Sequence, residues 1–414
     1  MKQTFHESVW RIRDYRRLAL GRSIAAAGTA LITVVQLLRL TDHGGGPDVI
    51  MLLLLAEALP PILLAGTIGQ IADHLDSKPV LAVGIAAQSS AALLLVSSPG
   101  LLLTCCAMAL LSSGASLVGP VFMVLVPMVV GEKRVGAAIG GQLALTSALA
   151  PVGAGAGGLL YGGVGAGASV LVASVLYLQL FIVSMRLGVR RSVQPVPATG
   201  GAACGSRKLL PDTRLLRRDR FVWLLTLSVV PLIVVVQGVN VLEVSLARKD
   251  LGASAAQFGL AEVAAGAGAV LGAALAAKIL GTLLRGWVIL GGFGACSAAI
   301  AVLGTVHTVG AYFALLPVIG WGAGMANACF GALFISRTPA AERGRVTASI
   351  NGLMLTAVTS SVALGGIFGA LLGVRAAFVA AGSTGLVVLA AAAIALDRTP
   401  STAPGIAVTP ASAR

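Results

Sequence analysis

Three glutamates stand where a carboxylate is hardest to keep. Glu57 lies inside the apolar run 49–72, Glu262 inside 256–280, and Glu243 at the end of 221–245. Glu57 is about eight residues, or ~12 Å, from the nearer edge of its run at 1.5 Å per residue. An ionised acid at that depth must be paired, protonated or open to water. Glu57 and Glu262 are therefore candidates for handling a proton or another cation, against the plainer reading of a structural hydrogen bond or ion pair. Glu243 sits close enough to an end for interfacial placement to explain it. Arg22, Arg39 and Arg375 are the bases that could answer Glu57. Arg22 is one turn into its run, where a long cationic side chain either snorkels to the interface or lines a cavity. Several amides, Gln36, Gln237, Asn240 and Asn327 among them, also fall within apolar runs. Half or more of such amides simply bond neighbouring helices.

Elements must hold these groups at depth, and the composition says which. Hydrophobic residues make up 57% of the 414 and charged residues only 11%, where a soluble domain carries roughly a quarter charged. Mean hydropathy is +0.95. A span needs about 20 mostly apolar residues, and such runs recur along the chain. Helices are expected at 18–40, 49–72, 79–97, 101–125, 136–161 and 167–186. Six more are expected at 221–245, 256–280, 286–305, 309–335, 346–372 and 376–396. The runs are continuously apolar, without the alternation of barrel strands. The fold class is thus all-α integral membrane with twelve transmembrane helices, and a lipid bilayer is the first partner. The first run is too long for a signal-peptide core and reads as an uncleaved helix.

The net charge of +14 suggests nucleic acid only until its distribution is traced. Lys and Arg fall between the runs rather than along one face, so no nucleic-acid partner is expected. Placing both termini in the cytoplasm puts Lys2, Arg11, Arg13, Arg16, Arg17, Lys78, Lys133, Arg134, Lys278, Arg285, Arg337, Arg343 and Arg345 inside. Arg39, Arg248, Lys249 and Arg375 remain outside. That asymmetry follows the positive-inside rule and predicts a multi-pass protein of the inner (plasma) membrane. The five cysteines and four histidines show no metal spacing. One long polar stretch, with Pro195, Pro197, Gly200, Gly201 and the cluster Arg214, Arg217, Arg218 and Arg220, separates the sixth and seventh runs. The organisation read from this is a bundle over 1–190, a cytoplasmic linker over 191–220, a second bundle over 221–397 and a tail over 398–414.

The halves resemble each other. Val126-Pro127 followed by Glu132-Lys133-Arg134-Val135 after the fourth run matches Thr338-Pro339 followed by Glu342-Arg343-Gly344-Arg345-Val346 after the tenth. A repeated half is how many transporters are built, with substrate held near the midplane between repeats. Gly69-Gln70-Ile71-Ala72-Asp73-His74-Leu75-Asp76-Ser77-Lys78 between the second and third runs resembles the signature of the major facilitator superfamily. Gly69, Asp73 and Lys78 match it; His74, Asp76 and Ser77 replace an Arg, a Gly and an Arg. Tyr15-Arg16-Arg17-Leu18-Ala19-Leu20-Gly21 resembles the opening of the drug:proton antiporter class that includes enterobactin exporters. Leu251-Gly252-Ala253-Ser254 and the residues after it are similar to the same class.

The resemblance implies two pseudo-symmetric six-helix bundles working by alternating access. It implies a cytoplasmic latch between halves at Gly69, Asp73, Lys78 and Arg134. It also favours Gln36, Gln237, Asn240 and Asn327 as cavity residues, because helices 1, 7 and 10 surround the cavity in that family. No nucleophile, metal cluster, phosphate-binding loop or cofactor motif is visible. The chain therefore reads as a non-enzyme without cofactors, exporting a small apolar or amphiphilic compound against proton influx. Uptake, a proton-independent facilitator, or a non-transporting sensor are the other readings.

Overall fold

A computed structural model of the chain describes residues 9–64, 67, 76–97, 100–131, 134–185, 220–278, 282–337 and 343–397. Its helices begin at the starts of the apolar runs or up to five residues before them. In the first half they are α1 (Arg13–Asp42), α2 (Pro47–Leu63), α3 (Ser77–Val96) and α4 (Leu101–Val130), followed by one run, Val135–Met185. That run has 51 residues, or about 77 Å at 1.5 Å per residue, more than twice the hydrocarbon thickness. It breaks at Gly165, whose φ of 82° and ψ of 174° leave helical space. A side chain there would be strained, so glycine sets the break. We label the two spans α5 (135–164) and α6 (166–185). The separate loop expected between 161 and 167 is thus reduced to one backbone break.

The second half follows the same plan. α7 comprises Arg220–Gly238, a short continuation Asn240–Ser245 and a closing π turn, Leu246–Asp250. The expected end at 245 is five residues short, because this wider turn carries the helix through Arg248 and Lys249. A capping box of Ser254 and Gln257 starts α8 (Ala255–Ala276); each satisfies a backbone N–H that the first helical turn leaves open. α9 (Thr282–Leu303), α10 (Val309–Arg337), α11 (Arg343–Leu372) and α12 (Val374–Asp397) complete the chain. Among the described residues, ten helices are long and apolar enough to cross a membrane, with α5 and α6 counted as one run.

Packing repeats with a period of six helices. α1 packs on α5 and α6 as α7 packs on α11 and α12; α2 meets α4 as α8 meets α10; and α3 meets α4 and α6 as α9 meets α10 and α12. The halves join through α2 with α11 and α5 with α8. Without a hydrophobic force between helices in lipid, close backbone approach supplies the packing. At the α5–α8 crossing a Cβ on Gly158 would lie 2.5 Å from the Ala255 carbonyl and 2.7 Å from Gly259 Cα. At the α2–α11 crossing Gly366 lies against Met51, and Gly369 against Pro47. Both crossings sit toward the end that carries the α1–α2, α7–α8 and α11–α12 loops.

Candidate functional site

The carboxylate of Glu57 is ten residues past Pro47 in α2, about 15 Å down the helix. Its companion is a hydroxyl. Thr33 Oγ1 of α1 lies 3.2 Å and 3.3 Å from the two carboxylate oxygens, and its single hydrogen serves one oxygen at a time. Ser112 of α4 donates to the backbone carbonyl of Glu57 at 2.6 Å, pinning α2 at that level. One turn from Thr33, Thr29 gives its hydrogen to the Ala25 carbonyl and stands 2.9 Å from Tyr177 Oη of α6. With that donor committed, Tyr177 donates to Thr29. Tyr177 is fully buried and within electrostatic reach of Glu57. No described base forms an ion pair with Glu57. Arg22 donates to the Gly119 carbonyl at 3.0 Å and lies over the Phe122 ring. Arg39 donates to Gln36 at 3.0 Å, and Arg375 pairs with Asp250.

The second half holds two acids. Tyr312 of α10, fully buried, donates to Glu243 Oε1 of α7 at 2.9 Å. Glu262 of α8 lies within electrostatic reach of both. Glu243, expected at an interface, thus has a buried cross-helix partner in Tyr312 of α10. The signal missed in the sequence is Tyr312: three of the four tyrosines, Tyr15, Tyr177 and Tyr312, are fully buried, and a buried phenol needs a partner. No ion pair reaches Glu243 or Glu262 among the described residues.

A hydroxyl partner has a chemical consequence. An arginine would hold a glutamate permanently ionised. A Thr or Tyr hydroxyl donates to a carboxylate oxygen and, more weakly, to the carbonyl oxygen of a neutral acid, so neither protonation state leaves it without an acceptor. All three glutamates are half-buried rather than sealed. The arrangement can take up and release a cation without stranding a partner charge.

The remaining expected residues are spread more widely. Gln36 is fully buried and accepts from Arg39, and its Nε2 has no partner among the described residues. Asn240 donates to Gln237, three residues back along α7, at 3.4 Å, and Asn327 is exposed on α10. Lys78 is half-buried at the start of α3 and Arg134 is exposed before α5. Gly69 and Asp73, the other two expected latch residues, lie outside the described residues, as does the 191–219 linker. Two surface cavities lie apart from the acids. One of about 590 Å³ is lined by Arg39, His43, Tyr161 and Gly165. The other, of about 380 Å³, lies between α8 and α10 beside Gly268 and Trp321.

The profile of the Major Facilitator Superfamily matches residues 18–243 and 234–412. No curated protein sequence matches the chain. Among solved structures, a bacterial homologue of the human lysosomal transporter Spinster, in an inward-facing and unoccupied conformation, superposes with a TM-score of 0.70. It shares 15% identity, over 94% of this chain and 97% of that one. A bacterial homologue of the iron transporter ferroportin, inward-facing, gives 0.67 at 18% identity, over 92% and 98% of the two chains. A POT family transporter bound to a thioalcohol-conjugated peptide gives 0.67 at 12% identity, over 93% and 95%. These likenesses establish the fold.

Proposed function

The chain belongs to the Major Facilitator Superfamily, and on that premise we propose that it is a proton-coupled exporter of a small apolar or amphiphilic compound. The observation that carries this reading is a set of three glutamates within apolar spans, two of which, Glu57 and Glu243, are held by hydroxyls, with no ion pair to any of the three among the described residues. Each can exchange a proton within the span. Glu57 and Glu262 are the coupling residues, and Glu243 joins them through Tyr312. Arg22, Gln36, Gln237, Asn240 and Asn327 are cavity residues in this reading, and Gly69, Asp73, Lys78 and Arg134 form the cytoplasmic latch. The basic-residue asymmetry puts both termini in the cytoplasm of a cell whose inner (plasma) membrane holds the protein. The end bearing the α1–α2 loop then faces outward.

Coupling follows from cost. A carboxylate left ionised and unpaired within hydrocarbon is expensive, about 2.5–3.5 kcal/mol even on the mild insertion scale. Reorientation between the two access states is therefore favoured when the acid is neutralised by a proton or by a bound cation. Exchange of the two is antiport. The neighbours' cargoes, a peptide conjugate in one case and iron by name in another, show that this fold does not choose a substrate class.

Everted vesicles test the reading. With an imposed proton gradient, uptake of a compound from a panel of antibiotics, siderophores and lipophilic dyes should rise about tenfold over vesicles treated with a protonophore. Equal uptake in both would leave a facilitator, and accumulation in right-side-out vesicles would reverse the direction.

A further inference from the structure

The α1–α2 loop and the π turn of α7 are bound to each other by side chains from both halves. Arg248 places Nη2 2.6 Å and Nε 3.1 Å from Asp42 Oδ1, while Tyr161 at the end of α5 donates to Asp42 Oδ2 at 3.0 Å. Both oxygens of one carboxylate are thus used, one by each half. The next residue, Lys249, donates to the Gly45 carbonyl at 2.7 Å and stands 3.3 Å from that of Gly44. The third, Asp250, pairs with Arg375 of its own half at 3.7 Å, and Arg375 is held by the Val306 carbonyl at 2.6 Å. Three consecutive residues of one turn therefore divide the work. Asp250 anchors the turn to the second half, and Arg248 and Lys249 reach across to the first.

Local geometry explains why these residues can do this. A π turn carries an extra residue, and such bulges often mark functional sites. Here the turn closes with Leu251 and Ala253 N–H groups returning to Leu246 and Ala247. Arg248 Nη1 also donates to the Ala253 carbonyl at 2.6 Å, so its guanidinium is held in place before it meets Asp42. On the other side, Gly44 takes a φ of 88°, and Gly45 N–H returns to Leu40. The loop thereby turns two carbonyls toward Lys249.

We propose that Asp42, Arg248 and Lys249 form a strap that closes the α1–α2 end and breaks each time that end opens. The inference rests on the alternating-access reading above. The α5–α8 and α2–α11 crossings join the halves toward this same end through close backbone and apolar packing, whereas this polar set lies beyond them at the rim, at the end of α1, in the loop after it and in the last turn of α7. An ion pair that is partly exposed, with side-chain exposures of 22% and 29%, is weak enough to release. Bonds to fixed backbone carbonyls add the register that a lone surface pair lacks.

The test uses the full chain in lipid nanodiscs, with its five cysteines replaced by alanine and spin labels at Gly163→Cys and His307→Cys. These sites are exposed, one in each half, at the same end. Dipolar spectroscopy should show one dominant short distance for the unmodified strap. Asp42→Asn and Arg248→Gln should each raise the longer-distance fraction about fivefold, and the exchange Asp42→Arg with Arg248→Asp should recover at least half of the short population. Unchanged distances in both single variants, or an exchange no better than the worse single variant, would overturn the strap. Unchanged distances beside altered transport sink the strap alone. An end that opens as expected in a protein with no measurable exchange upholds the strap and sinks the transport reading.

Discussion

The two halves solve one problem differently. Each carries an acid on its second helix, Glu57 on α2 and Glu262 on α8. Opposite Glu57 the first half offers a neutral hydroxyl, Thr33 of α1. The corresponding first helix of the second half, α7, offers a second acid, Glu243, with Tyr312 as its donor. The repeat has kept the helices and their packing while changing the charge at the site by one. A lone acid passes between charge 0 and −1. A neighbouring pair passes through −1 with a proton shared, since two adjacent negative charges repel strongly where the dielectric is low. On the proton-coupling proposal, the first half would switch its charge fully and the second would retain one. That difference predicts unequal consequences for equivalent substitutions.

The largest consequence should come from Glu57→Gln. It removes the one carboxylate of its site among the described residues, so gradient-driven accumulation should fall ~100-fold while downhill exchange persists. Glu243→Gln leaves Glu262 in place and should cost about tenfold. Initial rates of transport, with and without a gradient, measure both. Equal losses would erase the distinction between the halves.

Next in size is a steric test of the boundary between them. A valine at position 158 would meet backbone of α8 on the far side of the crossing. Overpacking of this kind costs about 1–3 kcal/mol. Gly158→Val should therefore lower exchange at least about tenfold and raise the population with the α1–α2 end apart. Gly163→Val, where a Cβ meets nothing within 4 Å, should transport normally. Labelled-distance distributions and exchange rates on the pair decide it.

Much of the architecture could be read from the chain because a membrane span declares itself by continuous apolarity, and it needs no tertiary partner to do so. The helix starts at Leu101 and Val309 fall where the apolar runs start. Glu57 and Glu262 were conspicuous for the same reason, as acids in the wrong solvent. Local reading fails where meaning comes from a distant partner. Glu243 near a helix end looks interfacial until Tyr312, 69 residues away, is found beside it. Asp42 and Arg248 are 206 residues apart, and each alone is an ordinary loop charge. Gly165 and the π turn of α7 were hidden too, because a helix that continues through an expected loop leaves no change in hydropathy.

The smallest expected effect tests whether the hydroxyls matter at all. Thr33→Val keeps the shape of the side chain and deletes its donor; Tyr312→Phe does the same opposite Glu243. Hydrogen bonds between membrane helices average about 0.6 kcal/mol, or about threefold in an equilibrium. Distance orders the two. Tyr312 donates at 2.9 Å, whereas Thr33 stands at 3.2 Å and 3.3 Å from two oxygens and serves them alternately. Tyr312→Phe should therefore slow coupled exchange about threefold to tenfold, and Thr33→Val by about threefold or less. Thr33→Ser should restore the loss, since it returns the donor without the methyl. If the hydroxyls merely fill space, Val at 33 and Phe at 312 will be silent while Ser at 33 is not. If they serve both protonation states of the acids, the order runs the other way. Coupled and uncoupled rates then separate, because a donor that bonds the carboxylate more strongly than the neutral acid sets the acid's proton affinity and so affects gradient-driven exchange more than downhill flow.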